Sequence, residues 1–252
     1  MKEFLFYIVI LLANIIQGIT GFAGTILAMP FSLKLVGMDT AVPVLNFLGL
    51  ASGVYVLAGN YRQVDRKELL RVISVMEPAV IIGLLARRFL SGKPQLLYYI
   101  LGAIVLALSV SGLLGLLRRE RGESTAAEKQ TAASGSAVLD ILILAASGLV
   151  HGLFVCGGPL LIGYLSKRIK DKASFRATIS TVWILLNGTI FISQLISGAW
   201  NAGLVKVQLL SLPFLAAGMF AGSLLYRRMS QRTFMIITYV LLFIAGLTLF
   251  FK

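Results

Sequence analysis

The sequence predicts an all-α integral membrane protein made of two inverted repeats, each a glycine-broken, re-entrant helical segment followed by three transmembrane helices. Three observations predict it: an apolar, charge-poor composition, charge-free runs of membrane-spanning length along the chain, and a glycine-rich break that occurs twice in the same order. Of the 252 residues, 58% are hydrophobic and 13% charged, whereas an ordinary soluble domain carries about 25% charged residues. Mean hydropathy is +0.91. These values exclude a soluble enzyme. The formal charge of +13 does not point to nucleic acid, because the basic residues sit in short connections between apolar runs, where Lys and Arg set topology and meet anionic lipid.

Crossing a hydrocarbon core of about 30 Å takes roughly 20 apolar residues in a helix. Residues 40–59, 97–117, 207–226 and 233–251 are charge-free and long enough. Residues 70–86, which carry Glu77, and residues 177–198 make two more spans. The remaining apolar stretches, 4–33 and 141–166, are each interrupted in the middle: by Gly18-Ile-Thr-Gly21-Phe22-Ala-Gly24 in the first and by Gly152-Leu-Phe-Val-Cys156-Gly157-Gly158-Pro159 in the second. Hydropathy thus yields seven to eight helical segments. Glycine costs about 1 kcal/mol in a helix interior and proline more, and at membrane depth broken backbone is tolerated only where protein or a cavity surrounds it.

The basic residues choose between crossing and turning back. If both broken segments cross, the 23 Lys and Arg divide 11 to 12 between the two faces; if both return, they divide 16 to 7. The excess of Lys and Arg on cytoplasmic connections favours the second scheme. Each half then has an odd number of crossings, so the second is inverted relative to the first. The repeat is visible in the residues: Gly18-x2-Gly21-Phe22-Ala23-Gly24 aligns with Gly152-x2-Val155-Cys156-Gly157-Gly158, and Glu77-Pro78-x4-Gly83 with Leu212-Pro213-x4-Gly218. The halves are 1–117 and 137–252, joined by a polar cytoplasmic linker at 118–136. Inverted repeats with broken helices are a secondary-transporter plan whose site lies where the breaks meet.

On these motifs, together with the Arg176-Ala177-Thr178 opening of the next helix, the chain resembles the TauE/SafE sulfite-exporter family of membrane anion transporters over essentially its whole length. The resemblance implies a multi-pass protein of a bacterial or archaeal plasma membrane that exports small sulfur-containing or organic anions such as sulfite or sulfonates. It departs from the family's fuller Gly-x-Gly-Gly-Gly run, which is reduced here to Gly21-Phe-Ala-Gly24-Thr25 and Val155-Cys-Gly-Gly-Pro159. The substrate is therefore not carried over.

The candidate substrate-binding residues follow from the breaks. Helix N-termini after about Gly24 and Gly158 would present backbone N–H groups and roughly half a positive charge to an anion, which nominates Gly18, Gly21, Phe22, Gly24, Thr25, Gly152, Gly157 and Gly158. Close helix packing is the competing use of these glycines. Asn14, Gln17 and Asn187 are amides near a break or in a polar pair, with Asn46 and Gln194 as further amides within spans. Arg176 either attracts the anion or marks the cytoplasmic face. His151 and Cys156 flank the second break. Glu77, a carboxylate well inside a span, and His151 are the candidates for proton coupling.

One cysteine and one histidine are too few for a usual zinc site, so no metal and no cofactor is expected. No G-x4-G-K-[ST] loop is present, so ATP is not the energy source. The expected partners are a small anion and membrane lipid, with homo-oligomerisation left open. Two other readings stand beside transport: thiol chemistry at Cys156, which needs an activating base, and a membrane-assembly subunit without flux.

Overall fold

In the computed structural model, residues 2–20, 24–58, 61–90, 94–120, 137–169 and 171–226 are described, with positions 236, 239, 240, 243, 244, 246 and 247 beyond them. Nine helices follow one another over these segments: α1 Lys2–Thr20, α2 Gly24–Val36, α3 Met38–Ala58, α4 Arg66–Leu90, α5 Pro94–Glu120, α6 Ala137–Phe154, α7 Gly158–Arg168, α8 Lys172–Ile196 and α9 Ala202–Tyr226. The seven described positions in the expected last span are also helical. The linker expected at 118–136 lies outside the described residues from position 121 onward.

Both broken segments fold back on themselves. Gly24 stands against Ala13 and Gln17, and Gly157 against Ser147 and His151, contacts that a continuous helix with a 1.5 Å rise would hold far apart. The limbs are unequal, a departure from two half-helices. The outgoing limbs α1 and α6 have 19 and 18 residues, about 27 Å each at 1.5 Å per residue, and are long and apolar enough to cross. The return limbs α2 and α7 have only 13 and 11 residues. Proline at position 159 suits the first turn of a helix, where its missing N–H costs nothing.

Glycine sets which helices touch. Gly18 on α1 lies against Met219 and Gly222 on α9; Gly148 and Gly152 on α6 lie against Met76, Val80 and Gly83 on α4. Within apolar surroundings, association rests on such close backbone approach rather than on excluding water. The α1–α9 pair is parallel, since Tyr7 stacks on Phe214 at 5.3 Å and Gly18 meets Gly222 further along both. The α4–α6 pair is parallel by the same test. Trp200, half-buried, meets Phe47 and Phe191 edge-on.

Helix directions make the halves inverted. Thr25 near Gly49 sets α2 against α3, and Gly49 near Asn187 with Gly53 near Ser180 sets α3 antiparallel to α8. The Asp65 N–H bonds Thr178 Oγ1 at 2.9 Å, and the Thr189 hydroxyl donates to Glu77 Oε1, so α4 runs parallel to α8. Because α9 returns from α8 across the short connection 197–201 and α1 is parallel to α9, α6, parallel to α4 and α8, runs opposite to α1. The contacts also correct the repeat alignment in α4 and α9. Because Gly83 packs on Gly152 and Gly222 on Gly18, the mate of Gly83 is Gly222, about one turn beyond the Gly218 that Pro-x4-Gly suggested. The pairing follows small residues at the crossing, not proline.

On the Lys/Arg-rich end, Glu68 ties three helices together. It pairs with Arg71 at 2.7 Å and with Arg168 at 3.7 Å, and it accepts from the Tyr164 hydroxyl at 3.1 Å. Arg168 also bonds Asp140 at the start of α6. The end of α7 is thereby fastened to the starts of α4 and α6.

Candidate functional site

The second break is built around a strained turn. The Val155 N–H donates to the His151 carbonyl at 2.7 Å, and Val155 then takes the left-handed conformation, φ 57°, which costs a residue bearing Cβ about 1–2 kcal/mol. The repeat places Gly21 at this position in the first half, outside the described residues. Strain of this kind gathers at functional sites. Val155→Gly should therefore be more stable than Val155→Ala by about 1 kcal/mol, the reverse of the order in a helix interior. Thermal unfolding of the two variants in detergent checks this, and an Ala variant at least as stable as the Gly one would contradict it.

Past Val155 the chain is held by polar contacts. Ser147 Oγ donates to the Gly157 carbonyl at 2.6 Å, and the Gly157 N–H reaches His151 Nδ1 at 3.4 Å. A Cβ at Gly157 would lie 2.3 Å from the Ser147 carbonyl oxygen, so only glycine fits. His151 Nε2 is 2.9 Å from Asn187 Oδ1. An amide oxygen can only accept, so Nε2 donates and Nδ1 accepts, the roles of a neutral ring. Asn46 Nδ2 in turn donates to the Asn187 carbonyl at 3.0 Å.

The first break is closed differently. Gln17 Oε1 accepts from the Gly24 N–H at 2.7 Å, and Gln17 Nε2 donates to Ser52 Oγ at 3.1 Å. A side-chain oxygen thus already occupies the N-terminus of α2. The start of α7 has no side-chain cap.

The two breaks converge on a small cavity lined by Gln17, Thr25, Ile26, Gly49, His151, Val155, Cys156, Gly158, Trp183 and Asn187. Trp183 and Asn187 lie near the middle of α8, and the indole N–H of Trp183 is buried without a hydrogen-bond partner among the described residues. Its ring packs 5.0 Å from that of His151. No residue of the lining other than His151 is of a titrating type near neutral pH, and none is Lys, Arg, Asp or Glu.

Of the residues nominated from sequence, Gln17, Thr25, His151, Cys156, Gly158 and Asn187 line this cavity, and Gly24 and Gly157 bond its lining. Gly18 and Gly152 lie at helix crossings instead. Asn14 bonds the Ile10 carbonyl at 2.8 Å and packs against Gly218. Arg176 is in the first turns of α8, away from the lining. Gly21 and Phe22 lie outside the described residues. Glu77 faces Thr189, two positions past Asn187 and so on the opposite side of α8; its Oε2 is buried without a hydrogen-bond partner among the described residues. Sequence reasoning missed Ile26, Gly49, Val155 and Trp183 as lining. Trp183 was findable, since it precedes Asn187 by one helical turn.

Cys156 donates to the Phe154 carbonyl at 3.0 Å, while both His151 nitrogens are engaged with Asn187 and Gly157. Among the described residues the thiol donates to a carbonyl, and the one nearby imidazole is engaged elsewhere, so no activating base meets it. Among the described residues no group of three His, Cys, Asp or Glu gathers to hold a metal.

Parallel and antiparallel apolar helices around a small polar cavity define a multi-pass membrane protein of the transporter class, and six of the helices are long and apolar enough to cross. The family described as sulfite exporter TauE/SafE matches residues 6–249, and the chain belongs to that family. It is a family of membrane anion transporters, not of enzymes. No curated protein and no solved structure gives a significant match.

Proposed function

We propose that this chain is a secondary transporter exporting a small, singly charged sulfur-containing or organic anion, such as sulfite in its hydrogen form or a sulfonate. The observation that carries the reading is the convergence of the two duplicated breaks on one buried polar cavity. The donors available there are a Trp indole, a threonine hydroxyl and the uncapped start of α7, and such dipoles stabilise an anion without a counter-charge. The desolvation cost of an ion grows with the square of its charge, while charge–dipole attraction grows only linearly. With no Lys or Arg in the lining, a monoanion is favoured over a dianion.

Transport proceeds by alternating access around this site. Glu77 is the proton-coupling residue: its carboxylate sits within a span with one oxygen bonded by Thr189 and the other without a partner among the described residues. The test is uptake of labelled sulfite, sulfate, sulfoacetate and a simple carboxylate into proteoliposomes, with and without a pH gradient. We expect saturable flux of one or more anions, at least tenfold faster for a monoanion than for sulfate, with the pH-gradient response lost in Glu77→Gln. Flux unaffected by Glu77→Gln removes the coupling role, sulfate moving as fast as the monoanions removes the charge rule, and no flux of any of these anions overturns the transport reading.

A further inference from the structure

The transport reading uses two residues of α8, but the buried face of that helix carries more. Positions 180, 183, 187 and 194 are spaced by three, four and seven residues and so share one side of the helix. Ser180 is 1% exposed, Trp183 7%, Asn187 3% and Gln194 6%. Ser180 Oγ, Trp183 Nε1 and both amide atoms of Gln194 have no hydrogen-bond partner among the described residues. A buried donor or acceptor left unmade costs about 1–3 kcal/mol. Buried polar atoms are nearly always bonded to protein or water, and polar groups inside membrane proteins face the bundle interior or a water-filled cavity.

Across from this stripe α3 approaches closely through glycine: a Cβ at Gly53 would lie 3.1 Å from Ile184 Cγ1 and 3.3 Å from the Ser180 carbonyl oxygen, and one at Gly49 2.9 Å from Asn187 Nδ2. From 180 to 194 the stripe is about 21 Å long at 1.5 Å per residue, roughly two thirds of the hydrocarbon core. Toward the Gln194 end, Phe47, Phe191 and Trp200 meet edge-on with ring centroids 5.5 to 6.0 Å apart. Phe191 lies between Asn187 and Gln194 along α8.

We infer that this face of α8 is the wall of the permeation path, running from Ser180 past the cavity to Gln194, with the Phe47–Phe191–Trp200 triad as its constriction. The inference rests on the transport reading and adds a route on either side of the cavity. Ser180 and Gln194 hydrate the anion in transit by offering groups without a partner among the described residues, and the triad separates the cavity from the Gln194 end.

The experiment places single cysteines at Ser180, Gln194 and Ile192, the last 57% exposed on the outer surface of the bundle, in the full chain in proteoliposomes. The anionic thiol reagent 2-sulfonatoethyl methanethiosulfonate is applied to both faces, and the rate of the unsubstituted chain, which reports Cys156, is subtracted. Ser180→Cys and Gln194→Cys should react at least tenfold faster than Ile192→Cys. Rates no greater than that of Ile192→Cys would overturn the path. Gln194→Leu supplies a second readout: flux should fall about tenfold with thermal stability unchanged or raised, whereas a merely buried amide would gain stability and leave flux intact. Fast labelling of Ser180→Cys and Gln194→Cys without flux of any tested anion would overturn the transport reading while leaving a hydrated face on α8, whereas flux with slow labelling would overturn the path alone, so the two readings fail separately.

Discussion

Asn187→Leu should reduce anion flux about a hundredfold while leaving a folded, monodisperse protein. Asn187 is where three helices meet at the cavity: its carbonyl holds Asn46 of α3, its Oδ1 takes the Nε2–H of His151 on α6, and its Nδ2 lies where a Cβ on Gly49 would be 2.9 Å away. Leucine keeps the volume and the backbone bond to Asn46. It deletes the acceptor for His151, leaving a buried N–H unmade at a cost of about 1–3 kcal/mol, and puts an apolar group where an anion needs a donor. A factor of 100 in rate corresponds to about 2.7 kcal/mol, the size of one lost charge-assisted hydrogen bond. The checks are initial rates in proteoliposomes and melting in detergent. Flux above a third of the wild-type rate would place the site elsewhere. His151→Gln, which retains an amide donor, should keep more of the flux than His151→Leu if the ring acts by positioning Asn187.

Gly152→Leu should abolish folding into the membrane, with under a tenth of the wild-type yield of monodisperse protein. A Cβ at Gly152 would lie 2.3 Å from the Val80 carbonyl oxygen and 3.0 Å from both Gly83 Cα and Leu84 N. All three are backbone atoms of α4, so no rotamer change relieves the clash. Even alanine must push α4 and α6 apart, and overpacking typically costs about 1–3 kcal/mol; leucine must break the crossing. Gly188→Ala is the control, because a Cβ there meets nothing within 4 Å and should gain up to about 1 kcal/mol from helix propensity. Size-exclusion profiles and membrane yield distinguish the pair. If Gly152→Leu is folded and abundant, the α4–α6 crossing is not what holds the second half together.

Both predictions show how far residue type alone can be read. Gly18 and Gly152 were noticed because they open the breaks, which made them candidates for the anion site, but they serve the packing alternative. Sequence cannot tell a glycine that faces a ligand from one that faces a neighbouring backbone, since both demand the absence of Cβ. Gln17 shows a related limit. An amide beside a break can meet a substrate or cap the next helix, and here its oxygen closes the start of α2. The anion site is therefore asymmetric, with its open helix start on α7, although the sequence repeat is nearly symmetric.

By itself the sequence determined that the chain lies in the membrane, where most of the helices run and that two segments break, and its Lys and Arg distribution favoured breaks that turn back and halves that are inverted. These follow from local quantities: apolar run length, the cost of glycine and proline within a helix, and the distribution of Lys and Arg along the chain. Only the tertiary structure decided that α1 pairs with α9 and α6 with α4, that Gly83 matches Gly222, and that Trp183, Val155 and Gly49 join the cavity while Asn14 and Arg176 do not. Those outcomes depend on which face of each helix meets which neighbour. In apolar surroundings no amphipathic pattern announces that face, because lipid and protein interior are equally apolar and contact is chosen by shape.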